Sequence, residues 1–134
     1  MDILLDTHMA IWFADGSPHL PDRARDIIEN PKNAIYVSDV SMWEIAIKHA
    51  KRPDSVRSTA KRFCEACDLA GFRNLALSLE AVFEYEELDF EGTSGTHKDP
   101  FDRMLIAQAK AEGMLLVTHD ESLALYGEPF VVVM

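Results

Sequence analysis

The chain has 134 residues, 48% of them hydrophobic, which is enough for one buried core without disulfide or metal staples. Its formal net charge is -10, a balance that disfavours contact with a polyanion unless positive charge is gathered locally. The opening MDILLDTHMAIWF lacks a basic leader and carries an aspartate in mid-run, so it fits neither a signal peptide nor a membrane span. The expectation is a cytoplasmic protein forming a single domain over residues 1–134.

Five short apolar runs bounded by polar residues read as strands: Ile3–Asp6, Ala34–Ser38, Leu75–Ser78, Leu115–Thr118 and Phe130–Val133. Their hydrophobicity is continuous rather than alternating, the pattern of a sheet covered on both faces. The first run ends on Asp6 and leads into THMAIW, read as a turn. An aspartate there either does chemistry or caps that turn, and position alone leaves both open. A helix is expected at Asp22–Asn30, before the second strand.

After that strand a helix over Val40–Lys51 carries Glu44. Ser41 and Glu44 have capping-box spacing, and Glu44 with Lys48 has that of an i,i+4 ion pair. The following stretch, KHAKRPDSVRSTAKR, leads into a helix over Ser55–Ala70. It gathers Lys48, Lys51, Arg52, Arg57, Lys61 and Arg62, six of the thirteen Lys and Arg residues. A basic ridge therefore coexists with an acidic total, although a solvated helix face accounts for the same charges. Cys64 and Cys67 have no second pair of zinc ligands and no strand-to-helix redox setting, so they read as reduced or packed thiols on a helix.

A helix over Glu80–Leu88 and a loop over Phe90–His97 precede HKDPFDRMLIAQA, which opens a helix over Phe101–Glu112. Asp99 before Pro100 has the form of an N-cap followed by proline at the first helical position. Asp102 shares a stripe with Leu105, Ile106 and Ala109 and so faces inward, whereas Arg103, aligned with Ala107 and Lys110, is expected to point outward. Asp120 follows the fourth strand, where it either serves chemistry or caps a helix over Glu121–Tyr126. His119-Asp120 also matches the HD pair of metal hydrolases, but those proteins are helical and this pair follows a strand.

Alternating strands and helices predict a three-layer α/β fold around a central, mainly parallel sheet. Ligands of such folds sit beyond the carboxyl ends of the strands. A carboxylate on a buried stripe is costly unless something pairs with it. The sharper reading of Asp102 is that it meets Asp6, Glu44 and Asp120 at that end of the sheet. Four such groups repel one another unless a divalent cation neutralises them. Hard oxygen ligands favour Mg²⁺ or Mn²⁺ over zinc, and such a metal suits phosphodiester hydrolysis. His8, His97 and His119 read as surface groups or neighbours of the ligands.

In this order LLDTH, SMWEIAIK, HKDPFDRMLIAQA and LLVTHD resemble the motifs of the PIN-domain ribonucleases, and among them the VapC-type toxins of toxin–antitoxin pairs. The resemblance spans nearly the whole chain and implies an α/β/α sandwich. It implies Mg²⁺-dependent endoribonuclease activity on tRNA, rRNA or mRNA, with the metal set on Asp6, Glu44, Asp102 and Asp120. Thr7 and Thr118 match hydroxyls that orient the acidic cluster or its waters, and Asp99 matches a group one layer outside the metal. Arg103 matches a residue read as a salt-bridge or phosphate contact. The partners implied are a second copy of the chain and a small VapB-like antitoxin whose tail fills the groove.

Lys48, Lys51, Arg52, Arg57, Lys61 and Arg62 are the candidates for holding RNA backbone. The competing reading is a protein-binding module whose acidic cluster is structural. An aspartyl-phosphate phosphatase is disfavoured because Asp6-Thr7-His8 lacks a second aspartate two residues on, and a P-loop is excluded by the missing G-x-x-x-x-G-K-[ST].

Overall fold

The structure is a computed structural model that describes residues 1–56, 58–89 and 99–134. Its elements are β1 (Asp2–Leu5), α1 (Thr7–Ala14), α2 (Asp22–Glu29), β2 (Ala34–Ser38), α3 (Asp39–Lys51), α4 (Ala60–Leu69), β3 (Arg73–Leu75), α5 (Leu79–Glu87), α6 (Pro100–Glu112), β4 (Leu115–Thr118), a 3₁₀ helix (Glu121–Tyr126) and β5 (Val131–Val133). The loop expected at Phe90–His97, with His97 itself, and Arg57 of the basic ridge lie outside the described residues.

Successive side chains of a strand point to opposite faces, and in β1 both faces are apolar. Ile3 and Leu5 pair in register with Ile35 and Val37, and Leu5 also with Val117. These five pack against Met9, Ala10, Ala24, Ile28, Ile45, Phe63 and Cys67 of α1 to α4. Leu4 and Leu116 face the other way, onto Leu105, Ile106 and Ala109 of α6 and onto Leu123 and Tyr126. Each fully buried Leu or Ile contributes about 1.5–3 kcal/mol. A covering of helices on both sides explains why the central strands β1 and β4 carry no polar alternation.

The sheet order is β3-β2-β1-β4-β5, and every pairing is parallel. The chain steps outward from β1 to β3, then crosses back to β4 and on to β5. The direction of winding therefore reverses between β1 and β4, and the crevice outside the carboxyl ends of those two strands is where such folds hold ligands. Among the described residues no helix is long and apolar enough to cross a membrane.

Several local readings change. THMAIW belongs to α1, not to a turn: Met9 and Ala10 are buried and Ile11, Trp12 and Phe13 half-buried, so the segment is apolar nearly all round and carries no amphipathic period. α3 begins at Asp39 with Ser38 as its N-cap, accepting from the Val40 N–H, so Ser41 lies inside the helix and forms no capping box with Glu44. α4 starts at Ala60 rather than Ser55, because the Thr59 hydroxyl caps it by accepting from the Arg62 N–H. The third strand is Arg73–Leu75 rather than Leu75–Ser78; its partner β2 ends at Ser38, opposite Leu75, and offers no ladder beyond. Cys64 and Cys67 are free thiols on α4, and burial pushes the Cys67 thiol up to about 12.

Arg103 points inward. Helix α5 covers the face it shares with the fully buried Ala107. The guanidinium donates through Nη2 to the Tyr85 and Leu88 carbonyls at 2.8 Å each, and through Nε to Tyr85 at 3.1 Å, 4.7 Å above the Tyr85 ring. Those bonds satisfy the last carbonyls of α5 and bind it to α6. Arg103→Met, which keeps the aliphatic stem, is expected to lower unfolding free energy by about 2 kcal/mol in urea titrations; unchanged stability would show that the contacts carry no net energy.

Candidate active site

Asp6 follows β1 directly, and its N–H still donates to the Val117 carbonyl of β4 at 3.0 Å. It is the N-cap of α1. Oδ1 accepts from the Met9 N–H at 2.8 Å, and Oδ2 accepts from the Thr118 hydroxyl. Burial pushes its carboxyl above the ordinary range, against those two hydrogen bonds and the nearby His8. The same Thr118 oxygen accepts from the Asp120 N–H at 3.0 Å, so one hydroxyl ties together the ends of β1 and β4. Asp120 caps the 3₁₀ helix, its Oδ1 accepting from the N–H and hydroxyl of Ser122 at 2.9 and 2.7 Å.

Glu44 enters from α3 and is buried. Oε1 accepts from the Thr7 hydroxyl at 2.7 Å, and Oε2 accepts from the Lys48 ammonium at 2.5 Å. A threonine hydroxyl has one hydrogen, so with Thr7 committed to Glu44 the 2.8 Å contact between Thr7 and Ser41 is donated by Ser41. The Ser41–Thr7–Glu44 relay fixes α1 against α3. Sequence reasoning missed Ser41, whose spacing from Glu44 suggested a cap instead.

Asp99 caps α6, accepting from the N–H groups of Phe101 and Asp102 at 2.9 and 3.2 Å. Asp102 follows in the first turn, half-buried, with Leu105, Ile106 and Ala109 of its stripe in the core. Its carboxyl is pushed up to about 7, first by burial and then by the negative charges of Asp99, Glu44, Asp6 and Asp120. The charges of Asp6, Glu44 and Asp120, carried on three other elements, thus add to burial in raising the Asp102 pKa. Gln108, also missed, links two of these elements: the buried Ser38 hydroxyl donates to its Oε1, joining α6 to the start of α3.

As they stand, no three Asp, Glu, His or Cys side chains among the described residues are close enough to grip one ion. The bonds above turn the oxygens of Asp6 and Glu44 toward Thr118, Met9, Thr7 and Lys48.

Lys51, Arg52, Lys61 and Arg62 are exposed at the end of α3 and the start of α4, two helices that pack together, whereas Lys48 reaches back to Glu44. His8 and His119 are exposed on the flank near β4, their rings 5.9 and 5.4 Å from Trp12. A cleft of about 430 Å³ lined by Met1, Asp2, Gly113 and Leu115 opens at the amino ends of the strands and shares no residue with the carboxylates.

The chain belongs to the PIN domain family, whose model matches residues 3–129. Among solved structures it is similar to VapBC2 from Rickettsia felis bound to a promoter DNA fragment, at 20% identity and a TM-score of 0.67, covering 100% of this chain and 98% of that one. A toxin–antitoxin complex from Klebsiella pneumoniae is matched at 22% identity and a TM-score of 0.62, over 98% and 96%. FitAcB from Neisseria gonorrhoeae is matched at 21% and 0.60, over 93% of each chain. No curated protein matches the sequence.

The raised Asp102 pKa carries a stability consequence. Below the unfolded value of 3.8 the carboxyl is protonated in both states. Between 3.8 and about 7 the unfolded chain ionises first and stability falls, and above about 7 the penalty is complete. Asp102→Asn, which mimics the protonated group, is therefore expected to stabilise the metal-free protein by about 1–2 kcal/mol at neutral pH, after allowance for solvent screening. Thermal melts should show the gain growing from pH 4 to 7; a gain independent of pH would contradict the assignment.

Proposed function

We propose that this protein is a divalent-metal-dependent endoribonuclease acting as the toxin of a toxin–antitoxin pair. The observation that supports this reading most is that, in a PIN-domain chain, the charges of Glu44, Asp6 and Asp120 add to burial in raising the Asp102 pKa. Like charges gathered without a thiolate form a hard oxygen donor set, which fits Mg²⁺, with Mn²⁺ as its closest substitute. In this reading those four residues hold the metal. When bound, the cation supplies Lewis acidity toward water and the scissile phosphate.

The remaining work falls to the chain's own groups. Thr118 and the Met9 N–H hold the Asp6 carboxylate in one orientation, and Thr7 does the same for Glu44. Asp99 caps α6 and thereby fixes the turn from which Asp102 projects. Lys51, Arg52, Lys61 and Arg62, with Lys48 and Arg57 of the same basic run, supply cationic charge along which RNA phosphates would lie. The partners are RNA, a second copy of the chain and a small VapB-like antitoxin, the last supported by the likeness to toxin–antitoxin assemblies. An arginine of that antitoxin would suit the acidic crevice, since guanidinium pairs strongly with carboxylates. A second reading, a protein-binding module with structural carboxylates, is favoured by one observation: the oxygens of Asp6 and Glu44 already have protein partners.

Incubating antitoxin-free protein with total RNA separates the two. Cleavage is expected with Mg²⁺, and its loss with chelator or in Asp6→Asn; cleavage indifferent to both would sink the metal-nuclease reading, and absence of cleavage throughout would favour the binding module. Within the nuclease reading, Asp99→Ala is expected to cost about 1 kcal/mol of stability as a lost cap while retaining most Mg²⁺ affinity. Asp102→Ala loses that affinity, and equal losses in calorimetry would contradict this division of roles.

A further inference from the structure

Glu44 is buried with 3% of its side chain exposed, whereas its partner Lys48, one turn along α3, is 46% exposed. The ammonium therefore reaches the Glu44 carboxylate from the solvent side on a flexible stem, and it can withdraw without opening the core. Oε1 of Glu44 is held independently by the Thr7 hydroxyl, so the orientation of the carboxylate does not depend on Lys48. Among the described residues of the ridge, Lys48 is thus one that lends its charge to a carboxylate instead of to solvent.

We infer that Lys48 is a built-in competitor of the divalent cation: its ammonium takes the Oε2 side of Glu44, and metal is bound there only as Lys48 swings out to join Lys51 and Arg52. An ammonium donating to Oε2 and a divalent ion on the same carboxylate would place like charges within a few ångströms of each other in a partly desolvated site, where Coulomb repulsion is strong. Lys48 accordingly sets how tightly metal is held, while Thr7 sets where Glu44 points. This inference rests on the metal-dependent reading above and concerns affinity, not turnover.

The test is a calorimetric Mn²⁺ titration of the full chain without RNA, in wild type, Lys48→Met, Lys48→Gln, Lys48→Arg and Lys32→Met. The last removes the same charge just before β2, at the opposite end of the sheet. Lys48→Met and Lys48→Gln are expected to bind Mn²⁺ about tenfold tighter, the order expected from removing one nearby unit charge. Lys48→Arg and Lys32→Met should stay close to wild type. Unchanged or weaker binding in both neutral Lys48 variants overturns the inference, as does equal tightening in Lys32→Met. If neither wild type nor any variant binds Mn²⁺, the metal-dependent reading falls and takes this inference with it; if wild type binds and the Lys48 variants match it, only the role of Lys48 falls.

Discussion

The Asp6 carboxylate stands between β1 and β4 with one oxygen on the Met9 N–H and the other on the Thr118 hydroxyl. Through the first bond it starts α1, and through the second it is locked to the end of the neighbouring strand. Its own N–H extends the β1–β4 ladder by one more bond, to Val117. A buried carboxylate so satisfied becomes a fixed point, because losing either partner would leave a desolvated charge without compensation. The other acidic groups are arranged around it, Asp120 through the same Thr118 oxygen and Glu44 through Thr7, the residue after Asp6.

Around that point the electrostatics are unbalanced by design of the fold. Parallel strands and their following helices all present their connections at one end, so residues from four segments are brought within reach of each other's charge. Lys48 offsets part of the excess at Glu44, and a raised proton affinity at Asp102 offsets another part. The second arises first from burial and then from the neighbouring negative charges. The overall charge of -10 is therefore no guide to the site, where local geometry decides which cation meets which carboxylate.

Helix faces show where one-dimensional reasoning failed. Spacing aligned Arg103 with Lys110 and predicted solvent for both. Lys110 does lie outside, paired with Glu128 at 2.9 Å, but α5 packs over the earlier turns and turns Arg103 into a clasp on the Tyr85 and Leu88 carbonyls. Helix α1 was hidden for the opposite reason, being apolar nearly all round and thus without the period that marks a surface helix. In both cases the missing information was the identity of the covering neighbour.

Signals written within a few residues were legible in the sequence alone: the central buried strands, the alternation that makes an α/β fold, the Asp99-Pro100 and Asp120 caps, and the i,i+4 pairing of Glu44 with Lys48. They are legible because hydrogen bonds and hydrophobic periods of that range depend on local backbone geometry. The resemblance of four motifs to the PIN ribonucleases carried the family. The three-dimensional fold alone decided which carboxylate Thr118 serves, Asp6 across 112 positions, that Ser41 acts through Thr7, that Gln108 joins α6 to α3, and that Arg103 turns inward. Those choices follow from which strands become neighbours and which helix covers which face, and both are set by burying the sheet on two sides at once.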